Sequence, residues 1–173
     1  MTFDLQPSLK DSLIEIRPLI ASDFEELYAV ASDALIWEQH QNKDRYVREN
    51  FTAFFNESIA SKGALTLRDL DSQKIIGSSR FKCIDEEEGI VEIGWSFLSR
   101  DYWGGSYNKA FKRLMINYAL QSQAAVVFYV NNLNYRSQRA MEKLGARRGM
   151  NTNIPWVVPK EKGVTFIIDE PLS

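Results

Sequence analysis

Leu13, Glu15 and Arg17 interleave with Ile14, Ile16 and Pro18, and this two-residue period predicts a strand over 12–19 that ends at the proline. The period then lengthens. Phe24, Leu27, Tyr28 and Val30 mark one side of a helix predicted over 21–37, with Ser22 as N-cap and Glu25 three residues on completing a capping box. Tyr46, Phe51, Phe54, Phe55 and Ile59 fall near helical spacing and predict a second helix over 45–61. The middle of the chain returns to a short period. Two runs, 63–70 and 74–84, flank an Asp71-Ser72 turn and read as a hairpin. After the acidic turn 85–89, the next run (90–98) alternates cleanly: Val91, Ile93, Trp95 and Phe97 form an apolar face, while Glu92, Gly94, Ser96 and Leu98 form the other.

The last third reads helix, strand, helix, strand. Phe111, Leu114, Met115, Tyr118 and Ala119 share one side of a helix that ends near Gln121. The continuous apolar run 124–130 suits a strand covered on both faces. Asn134 is placed as N-cap and Gly145 as C-terminal exit of a helix over 134–146, and 163–170 reads as a final strand. The order β-α-α-β-β-β-α-β-α-β indicates a mixed α/β fold, with the βαβ arrangement confined to its later strands.

Composition narrows the class. At 173 residues, 45% hydrophobic and 25% charged, the chain is expected to form one soluble globular domain spanning 1–173. A net charge of −2 argues against a nucleic-acid-binding face as the main role. One cysteine, Cys83, and one histidine, His40, exclude an internal disulfide and the usual four-ligand zinc site, so no metal is expected. Cys83 is expected to be buried in its strand and inert. The first ten residues lack an apolar run behind a basic start, and no stretch reaches the ~20 apolar residues of a membrane span, so a cytoplasmic, membrane-free protein is expected.

Three stretches could carry chemistry. In "RDYWGGSYNKAF", Gly104 and Gly105 lead directly from a strand into a helix, so the N–H groups of 104–108 could converge on an anion, helped by Lys109, Lys112 and Arg113. The same glycine pair also fits a plain strand-to-helix corner. Glu92 sits on its strand beside Gly94 and Ser96, a face with room for a ligand and a place for a general base; it equally fits a carboxylate facing water. Ser137, Ala140, Met141 and Leu144 follow helical spacing, which puts Ser137 on the inner side of its helix either as a cleft residue or as a first-turn cap.

Taken together, "IEIRPL", "IIGSSRF", "VEIGWSFL", "YWGGSYNKAFKRLM" and "NYRSQRAMEKLGA" resemble the GCN5-related N-acetyltransferase (GNAT) superfamily over nearly the whole chain. The likeness is strongest to the branch containing enzymes that acetylate ribosomal-protein N-termini. The family's phosphate loop, Arg/Gln-x-x-Gly-x-Gly/Ala, falls on Trp103 to Asn108 and departs from the pattern at Trp103, Ser106 and Asn108. The resemblance implies a single GNAT-like fold, its central mixed sheet splayed between two parallel strands and flanked by helices. It implies acetyl-CoA as co-substrate, with Phe97 and Leu98 pairing the pantetheine arm. Trp103, Gly104, Gly105, Ser106, Tyr107 and Asn108 would hold the pyrophosphate, and Asn131, Asn134 and Ser137 the inner end. It further implies direct acetyl transfer to a primary amine, a protein N-terminus or a small molecule. Glu92 would serve as base and Ser137, or else Tyr135, as acid. Trp37, His40, Arg45, Tyr46 and Trp156 would shape the acceptor site. A non-catalytic acyl-CoA sensor and an interaction module on the same fold are the alternatives, and homodimer formation is left open.

Overall fold

Ile14 and Ile16 are fully buried, so the opening alternation becomes a strand whose apolar set faces a core. The computed structural model describes residues 3–149 and 163–173. Its strands are β1 (Leu9–Lys10), β2 (Ile14–Pro18), β3 (Ala64–Asp69), β4 (Ile75–Asp85), β5 (Ile90–Leu98), β6 (Ala125–Asn131), β7 (Arg147–Arg148) and β8 (Gly163–Ile168). Its helices are α1 (Phe24–Ala31), α2 (Arg48–Ser61), α3 (Tyr107–Ala119) and α4 (Tyr135–Lys143). Among the described residues the strands form one mixed sheet in the order β1-β2-β3-β4-β5-β6-β8-β7. Only β5 and β6 run parallel; the other neighbours are antiparallel.

Helices cover both faces of this sheet. Phe111, Met115 and Ile116 of α3, with Met141 of α4, pack on Ile14, Leu67, Ile93, Phe128 and Phe166. On the opposite face, Leu27 of α1 and Phe51, Phe54 and Phe55 of α2 enclose Trp37 and Phe97. No helix among the described residues is long and apolar enough to cross a membrane.

Several details differ from the sequence expectations, each for a local reason. The helix expected over 21–37 breaks into a 3-10 turn at Ala21–Asp23, then α1, then a second 3-10 turn at Ala34–Trp37. Asp23, not Ser22, organises its entrance: its carboxylate accepts the Ile20 N–H at 2.9 Å and pairs with Arg17 at 2.6 Å. Asp33 restarts the chain by accepting the Leu35 N–H at 3.0 Å, which fixes a turn in place of a continuous helix. Strands β1 and β7 span two residues each, too few to display a period. Cys83 is exposed, not buried. Its thiol pKa is nonetheless raised, by partial burial and by the negative charges of Glu86 and Asp85, which disfavours the reactive thiolate.

The largest departure lies in β5. Register to β4 slips between Ser78 and Arg80, which pair with Phe97 and Gly94, so β5 carries an extra residue there. Trp95 stands at that bulge with φ of 52°, under the Arg80 guanidinium 4.3 Å from its ring. A bulge reverses the alternation beyond it. Val91 and Ile93 share a core face with α3, but Phe97, expected on the same face, turns to the α1/α2 side, against Trp37 at 5.1 Å, while Leu98 joins the α3 side.

Candidate active site

β5 and β6 are paired only from Ile90↔Ala125 to Glu92↔Val127. Beyond that point they part, and β6 keeps its other edge on β8. The gap opens into a cleft of about 930 Å³. Phe97 and Leu98 stand on its β5 side and Asn131 on its β6 side. Asn134, Tyr135 and Ser137 line it from the start of α4, and Trp103, Gly104, Gly105 and Asn108 from the entrance to α3. Trp37 and His40 complete the set from the 3-10 turn and the loop after it. Residues far apart in sequence thus share one cavity.

The entrance to α3 has the character of an anion site. Gly104 takes φ of 72°, open to glycine at little cost, and a Cβ at Gly104 or Gly105 would meet nothing within 4 Å. Ser106 sits at φ of −83° and needs no such freedom; the tight turn falls on Gly104 instead. No side chain caps this helix, and no acidic residue stands in its first turn. The N–H groups of Gly104, Gly105 and Ser106 make no backbone hydrogen bond among the described residues. Exposed Lys109, Arg139 and Lys143 also line the cleft. Ser106 is exposed and Tyr107 half-buried, but neither lines the cleft, and Tyr107 is turned away from it.

What Tyr107 does is anchor the loop. Its hydroxyl donates to Asp69 Oδ1 at 2.8 Å, and Tyr102, before the glycines, donates to Asp69 Oδ2 at 3.2 Å. The buried Asp69 also accepts the Asp71 and Ser72 N–H groups, and despite desolvation these donors hold its pKa at about 2. A carboxylate with a depressed pKa contributes its stability above the ordinary value of about 3.9. That contribution is lost as pH falls from there towards about 2. Asp69→Ala is expected to cost about 1.5–3 kcal/mol, the worth of hydrogen bonds to a charged group, in urea unfolding at pH 7. The difference between variant and wild type should shrink below pH 4; a constant difference across that range would remove Asp69 as the anchor.

The other mouth residues are held as firmly. Trp103 donates its indole N–H to the Leu98 carbonyl at 2.9 Å, and the Arg136 guanidinium covers its ring at 4.1 Å. The Leu98 carbonyl, expected as part of a free strand edge, therefore already has a donor. Asn134 accepts the Ser137 N–H at 3.1 Å as N-cap of α4, as its position in the sequence suggested. Asn131 accepts the Leu133 N–H at 2.9 Å. Both amides thus spend their oxygens on the turn out of β6. Tyr135 is exposed at the rim, and Ser137 is half-buried.

Deeper in, Glu92 is 4% exposed, and strand alternation between Val91 and Ile93, which pack with α3, puts it on the opposite face of β5. It does not line the cleft itself, but a Cβ on the cleft residue Gly94 would stand 3.0 Å from its Oε1. Burial, and then the charge of Glu92, raise the pKa of Tyr129. On the same side, Arg45 stacks 4.2 Å over Phe54 and 5.6 Å over Trp37. Burial and repulsion from Arg80, only partly offset by Glu57, lower its pKa to about 10. Trp37 is core, its indole donating to the Ala31 carbonyl at 2.8 Å. His40 accepts the Asn42 N–H on Nδ1 at 2.9 Å, and burial with the charge of Arg45 lowers it to about 4, so a neutral imidazole faces the cleft. Tyr46 is exposed and does not line the cleft; its carbonyl accepts from the Tyr28 hydroxyl at 3.0 Å. Trp156 lies outside the described residues.

Ser96 and Lys112 also line the cleft. The bulge hid Ser96. Lys112 reads in sequence as one more charge at the helix entrance, yet it is 3% exposed. Its spacing to buried Met115, Ile116 and Ala119 was the signal of an inward side chain.

A family model for the acetyltransferase (GNAT) domain matches residues 14–147. A GCN5-related N-acetyltransferase from Brucella melitensis superposes with a TM-score of 0.79 at 18% identity, over 94% of this chain and 78% of that one. A GNAT-family acetyltransferase from Bacillus anthracis gives 0.72 at 18% identity, covering 93% and 96% of the two chains. Mycobacterium smegmatis RimJ, in complex with CoA-disulfide, gives 0.66 at 12% identity, covering 94% and 86%. No curated protein matches the sequence.

Proposed function

The chain belongs to the GNAT acetyltransferase family, and on that premise we propose that it transfers an acetyl group from acetyl-CoA to a primary amine, with Glu92 as general base. The observation that carries this reading is the splay of β5 from β6 onto a cleft that ends at the uncapped, glycine-entered N-terminus of α3. The residues present fit the cofactor. The free N–H groups of Gly104 to Ser106 and exposed Lys109, Arg139 and Lys143 suit its phosphates, and the long gap suits its uncharged arm. Acetyl-CoA supplies an activated thioester.

Glu92 answers the amine's requirement. An α-amino group has a pKa of about 8 and a lysine about 10.4, and only the unprotonated form attacks. Buried beside Gly94, the Glu92 carboxylate takes the proton through water on the α1/α2 side. Ser137, held at the start of α4, remains the donor closest in character to an acid; Tyr135 is its reserve.

The acceptor side carries Arg45 and Arg80, close enough to repel, with Glu57 between them in charge. Asp44 adds a second acidic neighbour to Arg45, so both signs of charge are present here, which suits the amine and carbonyl groups of a peptide or amino acid and accords with the ribosomal-protein branch. Release of free CoA across a panel of N-terminal peptides, amino acids, polyamines and aminoglycosides tests the reading. Turnover is expected with a peptide or amino-acid amine. No turnover with any amine would contradict the enzymatic reading, and a preference for polyamines would contradict the assignment of acceptor.

A further inference from the structure

Lys112 reaches from the second turn of α3 onto the floor of the gap between β5 and β6. Its Nζ donates to Ser96 Oγ at 2.7 Å on one wall and stands 5.1 Å from the Phe128 ring on the other. Ser96 Oγ in turn shares a 2.8 Å hydrogen bond with Ser79. No carboxylate among the described residues pairs with Lys112. Lysine is almost never buried without such a pair, because desolvating an ammonium costs several kcal/mol. Here desolvation lowers the pKa to about 7. A methionine or leucine would fill this space at no such cost, so a purely structural role does not account for the residue.

Position narrows what it serves. The cations suited to phosphates, Lys109, Arg139 and Lys143, are exposed, whereas Lys112 is buried near the point where the strands part. The arm that would fill this part of the cleft is uncharged, so the charge arising here is the one the reaction creates. We propose that Lys112 is a catalytic residue whose ammonium stabilises the negative charge that collects on the thioester sulfur. The proposal rests on the acetyl-CoA reading above. As the amine nitrogen bonds to the carbonyl carbon, Glu92 takes the amine proton. Lys112 holds, through its N–H, the electron pair that the broken carbon–sulfur bond leaves on sulfur. Glu92 and Lys112 work from opposite faces of β5, and Glu92 is neutral once it holds the amine proton, so the ammonium is left to face the charge on sulfur.

The test uses CoA bound to the full chain, with CoA free in solution as the reference for its thiol. Binding is followed by calorimetry, and the bound thiolate by its ultraviolet absorbance against pH. In the wild type the bound thiol is expected to titrate about 1–3 units below the free one, the effect of an adjacent opposite charge. Lys112→Met should return it to the ordinary value or above while leaving the melting temperature equal or higher. Lys112→Arg should restore most of the shift. Lys109, Arg136, Arg139, Lys143, His40 and Tyr129 also line the cleft and are unchanged in both variants. Wild-type protein that binds CoA with an unshifted thiol, or an equal shift in Lys112→Met, would overturn the role of Lys112 alone. Wild-type protein that binds no CoA would overturn the cofactor reading and this proposal with it.

Discussion

Glu92→Gln is expected to slow acetyl transfer at neutral pH by about 10²–10⁴-fold, the usual worth of a positioned general base. Glutamine has nearly the same shape, so the packing around this 4%-exposed side chain and beside Gly94 is retained. Affinity for acetyl-CoA, read by calorimetry, should therefore stay at its wild-type value. The deficit should also depend on pH. Above the α-amino pKa of about 8 the attacking amine is increasingly unprotonated in solution, and the base has less to do. The variant should recover relative activity as pH rises through that range. Unchanged turnover at neutral pH, or a deficit that ignores pH, would remove Glu92 as the base. A parallel loss of cofactor affinity would recast it as a residue that shapes the cleft.

The second large effect is expected at Gly104. Its φ of 72° belongs to a region that a β-branched residue enters only with strain of about 1–3 kcal/mol. The folded core should not register Gly104→Val, because a Cβ there meets nothing within 4 Å. In the free variant the loop relaxes to an ordinary φ, and binding must restore the strained one. Affinity for CoA should fall by roughly 5- to 150-fold, with melting temperature little changed. Gly105→Ala is the control, since Gly105 needs no positive φ and its Cβ is equally free of contacts. Equal affinity of Gly104→Val and wild type would mean that the loop does not close around the ligand.

Most of the fold was legible because its elements announce their periods. The sequence alternates from Ile90 as far as the bulge, the hairpin before it is marked by its turn, and the α3 and α4 stripes recur at helical spacing. Asn134 and Gly145 act as the caps their residue types suggest, the latter at φ of 83°. The sequence misled where tertiary contacts override the period. Nothing in "EIGWSFL" announces a bulge at Trp95, since the extra residue is defined only against Ser78 and Arg80 across the ladder. Reading through it placed Phe97 and Leu98 on the wrong faces and left Ser96 outside the helix-facing set. The mouth of the cleft was legible as a glycine pair before a helix. Its anchor was not, because Asp69 lies 33 residues from Tyr102 and 38 from Tyr107 in the chain. Lys112 was read as one more charge at the helix entrance, although its spacing to Met115, Ile116 and Ala119 already put it on the inner side of α3.

The central claim is that the cleft between β5 and β6 is an acetyl-CoA site, and a titration of acetyl-CoA into the full chain tests it most directly. Heat and melting temperature are read together. The account predicts saturable one-to-one binding with a Kd within about 1 μM–1 mM, and a melting temperature that rises with ligand concentration. No heat and no shift at millimolar acetyl-CoA would contradict it.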